Sequence, residues 1–218
     1  MTKPHDSETG WRGSREGWLE AAYAVLIREG VDAVKILPLA EQLKLSRTSF
    51  YWHFENRDAL LSGLAEMWAS RTTKPLIAAA EGAAATETEA MLNVIGCFLR
   101  PETFDAKLEF AMRGWGLKDA TILAQVAQAD QARLTALCTM LERWGHSPHD
   151  ADVRARTIYL VQIGYISMRA EETLETRLTR IPTYVEIYTG RHPAPREVAR
   201  FRARFGAAQV DADGLTWA

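Results

Sequence analysis

Along this chain apolar side chains recur at three- and four-residue intervals, as helices require, and nowhere alternate with polar ones over a strand's length. Ser14 is placed to cap a first helix in which Trp18, Ala22, Val25 and Leu26 form a stripe and Gly30 marks the end. Pro38 suits the first turn of a short second helix carrying Leu39, Ala40 and Leu43. After the turn Lys44-Leu45, Ser46 caps a third helix. A fourth begins near Arg57 and repeats Leu60, Leu64, Met67/Trp68 and Arg71. The chain is expected to loosen through Thr72-Thr73-Lys74-Pro75 and again at Glu81-Gly82, then to form helices over 87–99, 103–113 and 119–144. In the last of these Ile122, Val126, Ala129, Leu134, Leu137 and Leu141 share one face. Ser147-Pro148-His149-Asp150 reads as a helix start, with a cap, a proline in the first position and an acid three residues after the cap. Pro195 opens a final helix through Val198, Phe201 and Phe205. The expected fold class is all-α.

Two stretches carry more than helix periodicity. The segment "SFYWHF" crowds rings into consecutive positions, which a helix must point in different directions. At about 100° per residue from Ser46, Phe50 and Phe54 fall near 40° and 80°, a core face, while Trp52 lies near 240° beside Thr48 near 200°. Arg47, Ser49, Tyr51 and His53 flank that outer face, so it is rich in hydrogen-bond donors. Two short helices joined by a tight turn, the second capped and presenting such a face, fit a helix-turn-helix. Its second helix enters the DNA major groove with its N-terminal residues on base edges. Arg47 and Thr48 stand at that end, Tyr51, Trp52 and His53 are placed for phosphates, and Arg57 opens the next helix as a further phosphate contact. A protein-binding surface uses the same residue types and stays open on this pattern. The other stretch, TIYLVQIGYISM over 157–168 of a helix expected from about 150 to 172, is apolar almost all round and must be buried on more than one side. A partner subunit or a central position in a monomer's core would each cover it.

"LAEQLKLSRTSFYWHFENRDALL", preceded by "EGVDAV", resembles the DNA-binding region of the tetracycline-repressor (TetR) family. Leu39-Ala40, Ser46, Phe50, Tyr51, His53, Phe54, Arg57, Asp58 and Leu60 fit the family's pattern in order and spacing, over about residues 14–62. Further on, "AMRGWGLKDATILAQVAQADQARL" and "RARTIYLVQIGY" resemble the C-terminal domain of one subgroup. The resemblance implies a three-helix, homeodomain-like helix-turn-helix domain over 14–56 and a helical effector-binding and dimerising domain over 57–208, between an arm at 1–13 and a tail at 209–218. It implies a homodimer that represses transcription from an inverted-repeat operator in double-stranded DNA and lets go when a small molecule binds. The helix around 150–172 and the C-terminal helix around 195–207 are the expected dimer surface. Two positions depart from the pattern. Lys44 stands where the family's turn usually has Gly, and a left-handed non-Gly residue costs about 1 kcal/mol. Either Lys44 accepts that cost, with a phosphate contact in return, or the helix ends differently. Lys35 stands where Thr or Ser usually caps the second helix; its cation can replace a phosphate contact but not the cap.

Composition narrows the remaining classes. The 218 residues are 47% hydrophobic and 25% charged, ordinary for a globular chain, with no apolar run long enough to span a membrane. The first fifteen residues lack the apolar run of a secretory signal, so a cytoplasmic location is expected. A net charge of −2 argues against coating nucleic acid non-specifically. Through Arg57 eight bases meet eight acids, but over 44–57 three cations and His53 face one acid. Cys97 and Cys138 sit in apolar helical patterns and read as buried free thiols rather than a redox pair. His146, His149 and Asp150 are explained by the helix start without a metal. With no nucleophile motif, carboxylate pair or phosphate-cradling loop, neither an enzyme nor a cofactor is expected. Candidate effector contacts are the large side chains Trp68, Phe98, Phe110, Trp115, Trp144 and Tyr165, with Met112 and Met168 as adaptable lining; each has plain core as its alternative. Arg113 is the candidate cation for an anionic effector, and Arg169 stands in a similar setting; a solvated face is the alternative for both. A helical small-molecule or protein-interaction module with a degenerate helix-turn-helix is the competing function.

Overall fold

The computed structural model describes residues 13–206; the tail expected at 209–218 and, but for Gly13, the arm expected at 1–13 lie outside the described residues. The chain divides into two compact units, one through Glu66 and one from Met67. Among the described residues every regular element is helical, and no helix is long and apolar enough to cross a membrane.

The first unit is built from α1 (Arg15–Glu29), a 3-10 turn (Val31–Ala33), α2 (Ile36–Leu43), α3 (Arg47–Phe50) and the start of α4 (Arg57–Trp68). Its boundaries follow from local chemistry. The Ser14 hydroxyl accepts from the Gly17 amide at 3.0 Å, and Gly30, at φ 84°, stops α1 with its amide on the Leu26 carbonyl. α2 starts at Lys35 with no side-chain cap. It ends with Lys44 left-handed, at φ 55° and ψ 38°. There the amides of Lys44 and Leu45 bond the Glu41 and Ala40 carbonyls at 3.1 and 2.9 Å, a Schellman closure. Lys44 therefore accepts the left-handed strain. The core joins Trp18 edge-on to Phe50, ring centroids 5.2 Å apart, and stacks Phe50 on Phe54 at 5.4 Å. Arg57 is tied inward: its Nε and Nη2 donate to the Val34 and Val31 carbonyls at 2.6 and 2.7 Å.

The second unit continues α4 through a π turn (Ala69–Thr73) into α5 (Lys74–Glu81), then α6 (Glu87–Phe98), α7 (Ala106–Gly116), α8 (Ala120–Arg143), α9 (Pro148–Ser167), α10 (Leu174–Thr189) and α11 (Pro195–Gly206). The loosening expected at 72–75 does not occur. Pro75 has no amide to give the Arg71 carbonyl; the ladder widens, with the Lys74 amide reaching Ala69, and the Asp105 amide takes up the Arg71 carbonyl at 3.1 Å. α10 was not foreseen from its pattern. Pro182 lies inside it, and the Leu178 carbonyl that proline leaves open accepts from Arg202 of α11 at 3.3 Å. α9 ends at Ser167, short of the expected 172, and the chain buries it on one side only. Ile158, Tyr159, Gln162 and Ile166 face in, whereas Val153 and Leu160 are exposed. A core helix covered all round is thus not what this chain builds by itself.

At the heart of the second unit lies an ion pair without solvent contact. Arg133 of α8 and Glu109 of α7 are both 0% exposed and meet through two bonds of 2.9 Å. The remaining guanidinium donors reach the Tyr159 hydroxyl at 2.7 Å and the Thr72 and Thr73 hydroxyls at 2.8 and 2.9 Å. Trp68 donates to Glu109 at 2.6 Å. Arg113 bonds Glu109 at 2.8 Å and grips Asp130 through both terminal nitrogens, so two cations balance two carboxylates. Burial alone would raise the Glu109 carboxyl, but the Arg133 guanidinium holds it below the usual carboxylate range.

Removing one end of such a pair strands the other. Arg133→Met is expected to lower unfolding stability by about 3–5 kcal/mol in urea titration, and Glu109→Met with Arg133→Met to recover most of the loss. Because the folded Glu109 value is depressed, its contribution is present above the unfolded value of about 4.3 and disappears as pH falls through the folded value. The acid limb of a stability–pH profile should therefore shrink in the double variant. At the other strained point, Lys44→Gly is expected to raise unfolding stability in urea titration, by up to about 1 kcal/mol.

Candidate nucleic-acid interface

α3 is a single turn, but its bonding does not stop at Phe50. The amides of Tyr51, Trp52 and His53 bond three residues back, to Thr48, Ser49 and Phe50, at 3.2, 3.3 and 2.9 Å, and Phe54 bonds Phe50 at 3.0 Å. The segment is thus a short, tightened helix started by Ser46, whose hydroxyl accepts from the Ser49 amide at 3.2 Å. Its two faces differ completely. Phe50 and Phe54 are buried, at 0% and 4% exposure, while Trp52 and Tyr51 are 65% and 47% exposed. The helical wheel placed these four rings in the same way. Arg47 and Thr48 are exposed at the leading end, and the Arg47 guanidinium donates to the Tyr51 hydroxyl at 3.1 Å while lying over that ring. Lys35, Lys44 and Ser46 are exposed as well.

Three expected members of this face are turned otherwise. Ser49 is buried, at 5% exposure, and its hydroxyl donates to the Ser46 carbonyl at 3.1 Å: tightening the turn brings it inward from the flank where 100° steps put it. His53 is half-buried, with its Nε2 enclosed and unpartnered among the described residues. Arg57 is occupied by the carbonyls of Val31 and Val34, two acceptors far back in sequence that local periodicity does not reveal. What remains is an outward set of Arg47, Thr48, Tyr51 and Trp52, with Lys35, Lys44 and Ser46 also exposed.

In the second unit a small cleft, partly open to solvent, lies between α6, α9 and α10. Phe98 and Tyr165 are the expected effector contacts that line it. The other candidates stand elsewhere. Trp68, Met112 and Trp115 are buried, Trp68 bonded to Glu109, and Trp144 packs partly buried against the core cluster. Phe110 and Met168 are 40% and 81% exposed. Arg113 belongs to the buried ion network rather than to a cleft, and Arg169 lies over the exposed Phe110 ring. Three of the cleft's five polar lining residues, Arg177, Tyr184 and Tyr188, come from α10, and Gln162 and Tyr165 come from α9. The stripe Leu174, Leu178, Ile181, Val185, Tyr188 is the signal that reveals this helix in the sequence. His146 joins Glu87 and Asp150, and Ser147 caps α9. The Cys97 thiol is buried, which pushes it up to about 11.

Residues 19–64 match the family model of bacterial regulatory proteins, tetR family. Over 63 residues the chain is 41% identical to tetracycline repressor protein class G of Vibrio anguillarum, covering 28% of this chain and 30% of that protein. Over 48 residues it is 44% identical to tetracycline repressor protein class A from transposon 1721 of Escherichia coli, covering 22% of each. These matches span no more than about 30% of the length of those curated relatives. Among solved structures, Mycobacterium smegmatis AmtR aligns with a TM-score of 0.61 at 17% identity, covering 94% of this chain and 98% of that one. A transcriptional regulator from Rhodococcus sp. Rha1 aligns with a TM-score of 0.54 at 15% identity, covering 88% and 97%. At such identities the second unit's likeness is one of fold. The helix-turn-helix region of this chain, residues 19–64, is that of the tetR family of bacterial regulatory proteins.

Proposed function

We propose that the protein is a sequence-specific DNA-binding transcriptional regulator, a repressor that leaves an inverted-repeat operator when a small molecule binds its second unit. The observation that carries this reading is the division of α3 and its extension into two faces. Phe50 and Phe54 anchor it, and Arg47, Thr48, Tyr51 and Trp52 stand outward, with Lys35 and Lys44 also exposed. Arg47 offers the bidentate fork that suits a guanine edge, and Thr48 suits base contacts beside it. The two lysines and the aromatic donors suit phosphates, which set register rather than sequence. Exposed Val153 and Leu160 on α9 and Ile187 on α10 suit burial against a second copy, whereas Phe201 and Phe205 of α11, the other helix expected at that surface, are buried in the chain's own core; a two-fold dimer meets half-sites one helical turn or its multiples apart. The cleft between α6, α9 and α10 supports the effector half of the reading. On this reading the protein is a cytoplasmic binding protein and not an enzyme.

The test is fluorescence anisotropy on the DNA upstream of its own gene, titrated with salt. A specific complex at low salt is expected; its absence would favour a binding module with a degenerate helix-turn-helix. Arg47→Ala should cost about 1–3 kcal/mol on the preferred site and flatten discrimination against single-base changes. Lys44→Ala should weaken all sequences alike and reduce the salt slope by about 0.9. Arg57→Ala is expected to behave differently from both, lowering the stability of the first unit by roughly 2–3 kcal/mol through its two lost charged bonds. A reduced salt slope with unchanged stability would return Arg57 to the DNA.

A further inference from the structure

The cleft in the second unit contains a cation without a counter-ion bond. Arg177 of α10 is half-buried in its lining, and its side chain makes neither hydrogen bond nor ion pair among the described residues. Its one close partner is the Tyr165 ring, 5.1 Å from the guanidinium carbon. The setting contrasts with Arg133, buried in the same unit with every donor engaged. Glu172, whose charge Arg177 feels, is ion-paired with Arg180 instead. Of these three charged groups two are cationic and one is anionic, which leaves one positive charge over. Burial pulls the Arg177 guanidinium down from its usual value, the mark of a charge that has lost water and not regained it in partners.

Around that charge the remaining lining combines apolar and neutral polar side chains. Ile95, Leu99, Ile158, Val161 and Ile181 form the walls. The Tyr165 and Tyr184 hydroxyls, 3.2 Å apart, stand with Gln162 as neutral polar groups. Bonding to Tyr165 raises Tyr184, and burial raises Tyr188, so both phenols stay protonated near neutrality. A single guanidinium with phenol donors matches a monoanion, and a phosphate would leave charge unmet.

We propose that this cleft takes a small organic carboxylate, its apolar body between α6 and α9 and its carboxylate on Arg177. The proposal rests on the reading of the second unit as the effector-binding unit and names the class of effector. The experiment is isothermal titration of the full chain, without DNA, using 4-phenylbutanoate and octanoate against 4-phenylbutanamide and octanamide, which keep shape and lose charge. At least one acid is expected to bind roughly tenfold or more tightly than its amide. Arg177→Met should bring the acid and amide within about twofold of each other, and Arg177→Lys should keep part of the preference. Because Arg177→Met removes an unpaired half-buried charge, the variant is expected to fold. Equal binding of acid and amide, no binding of any of the four, or a preference unchanged in Arg177→Met would each overturn the proposal. Operator binding is read separately by anisotropy. Acid bound through Arg177 with DNA affinity unaltered upholds this inference and sinks the release mechanism. Operator binding with no acid bound does the reverse, upholding the regulator and sinking the carboxylate site.

Discussion

A guanidinium and a carboxylate held together out of reach of water set the terms for the whole second unit. Neither Arg133 nor Glu109 has any exposure, and taking either from solvent alone would cost several kcal/mol. The interior is workable because partners converge from everywhere: the end of α4 supplies Trp68, the π turn supplies Thr72 and Thr73, α7 supplies Glu109 and Arg113, α8 supplies Asp130, and α9 supplies Tyr159. Each of those segments must be in place before the pair is satisfied. The π turn in particular follows from this demand and from Pro75 together: the widened ladder brings two adjacent threonine hydroxyls to one guanidinium.

The first unit depends on a different economy, in which one short segment serves the core and the solvent at once. Phe50 joins Trp18 and Phe54 inside, and the ring next to it in sequence, Tyr51, lies outside with Arg47 across its face. Arg57 holds the carbonyls of Val31 and Val34, fixing the link between α1 and α2. An outward face thereby rests on buried supports although its own helix is a single turn long.

Where structure is decided within a few residues, the sequence was a good guide. Ser14, Gly30, Ser46 and Ser147 act where their chemistry puts them, and the separation of Phe50 and Phe54 from Trp52 follows from helical angles alone. Reading failed where a distant group changed the local answer. Ser49 turns in because the helix tightens after it, and Arg57 finds acceptors more than twenty residues back. Pro182 lies inside α10, where Arg202, twenty residues on, takes up the carbonyl that the proline leaves. With α10 unread, Arg177 could not be a candidate, and large rings that proved to be plain core or exposed surface, such as Trp115 and Phe110, took its place.

The buried pair also constrains how such a sequence can drift. A change at Arg133 alone leaves the Glu109 carboxylate short of its closest cation, and a change at Glu109 alone leaves the Arg133 guanidinium without its bonded carboxylate, so either first step passes through a weakened protein. The two positions are therefore tied, and they exchange together or stay. No comparable bond ties Ile95, Val161 or Ile181 on the walls of the cleft, where one apolar residue can follow another in single tolerated steps. A lineage carrying this frame can thus change the shape of what it binds far more readily than the frame that holds it.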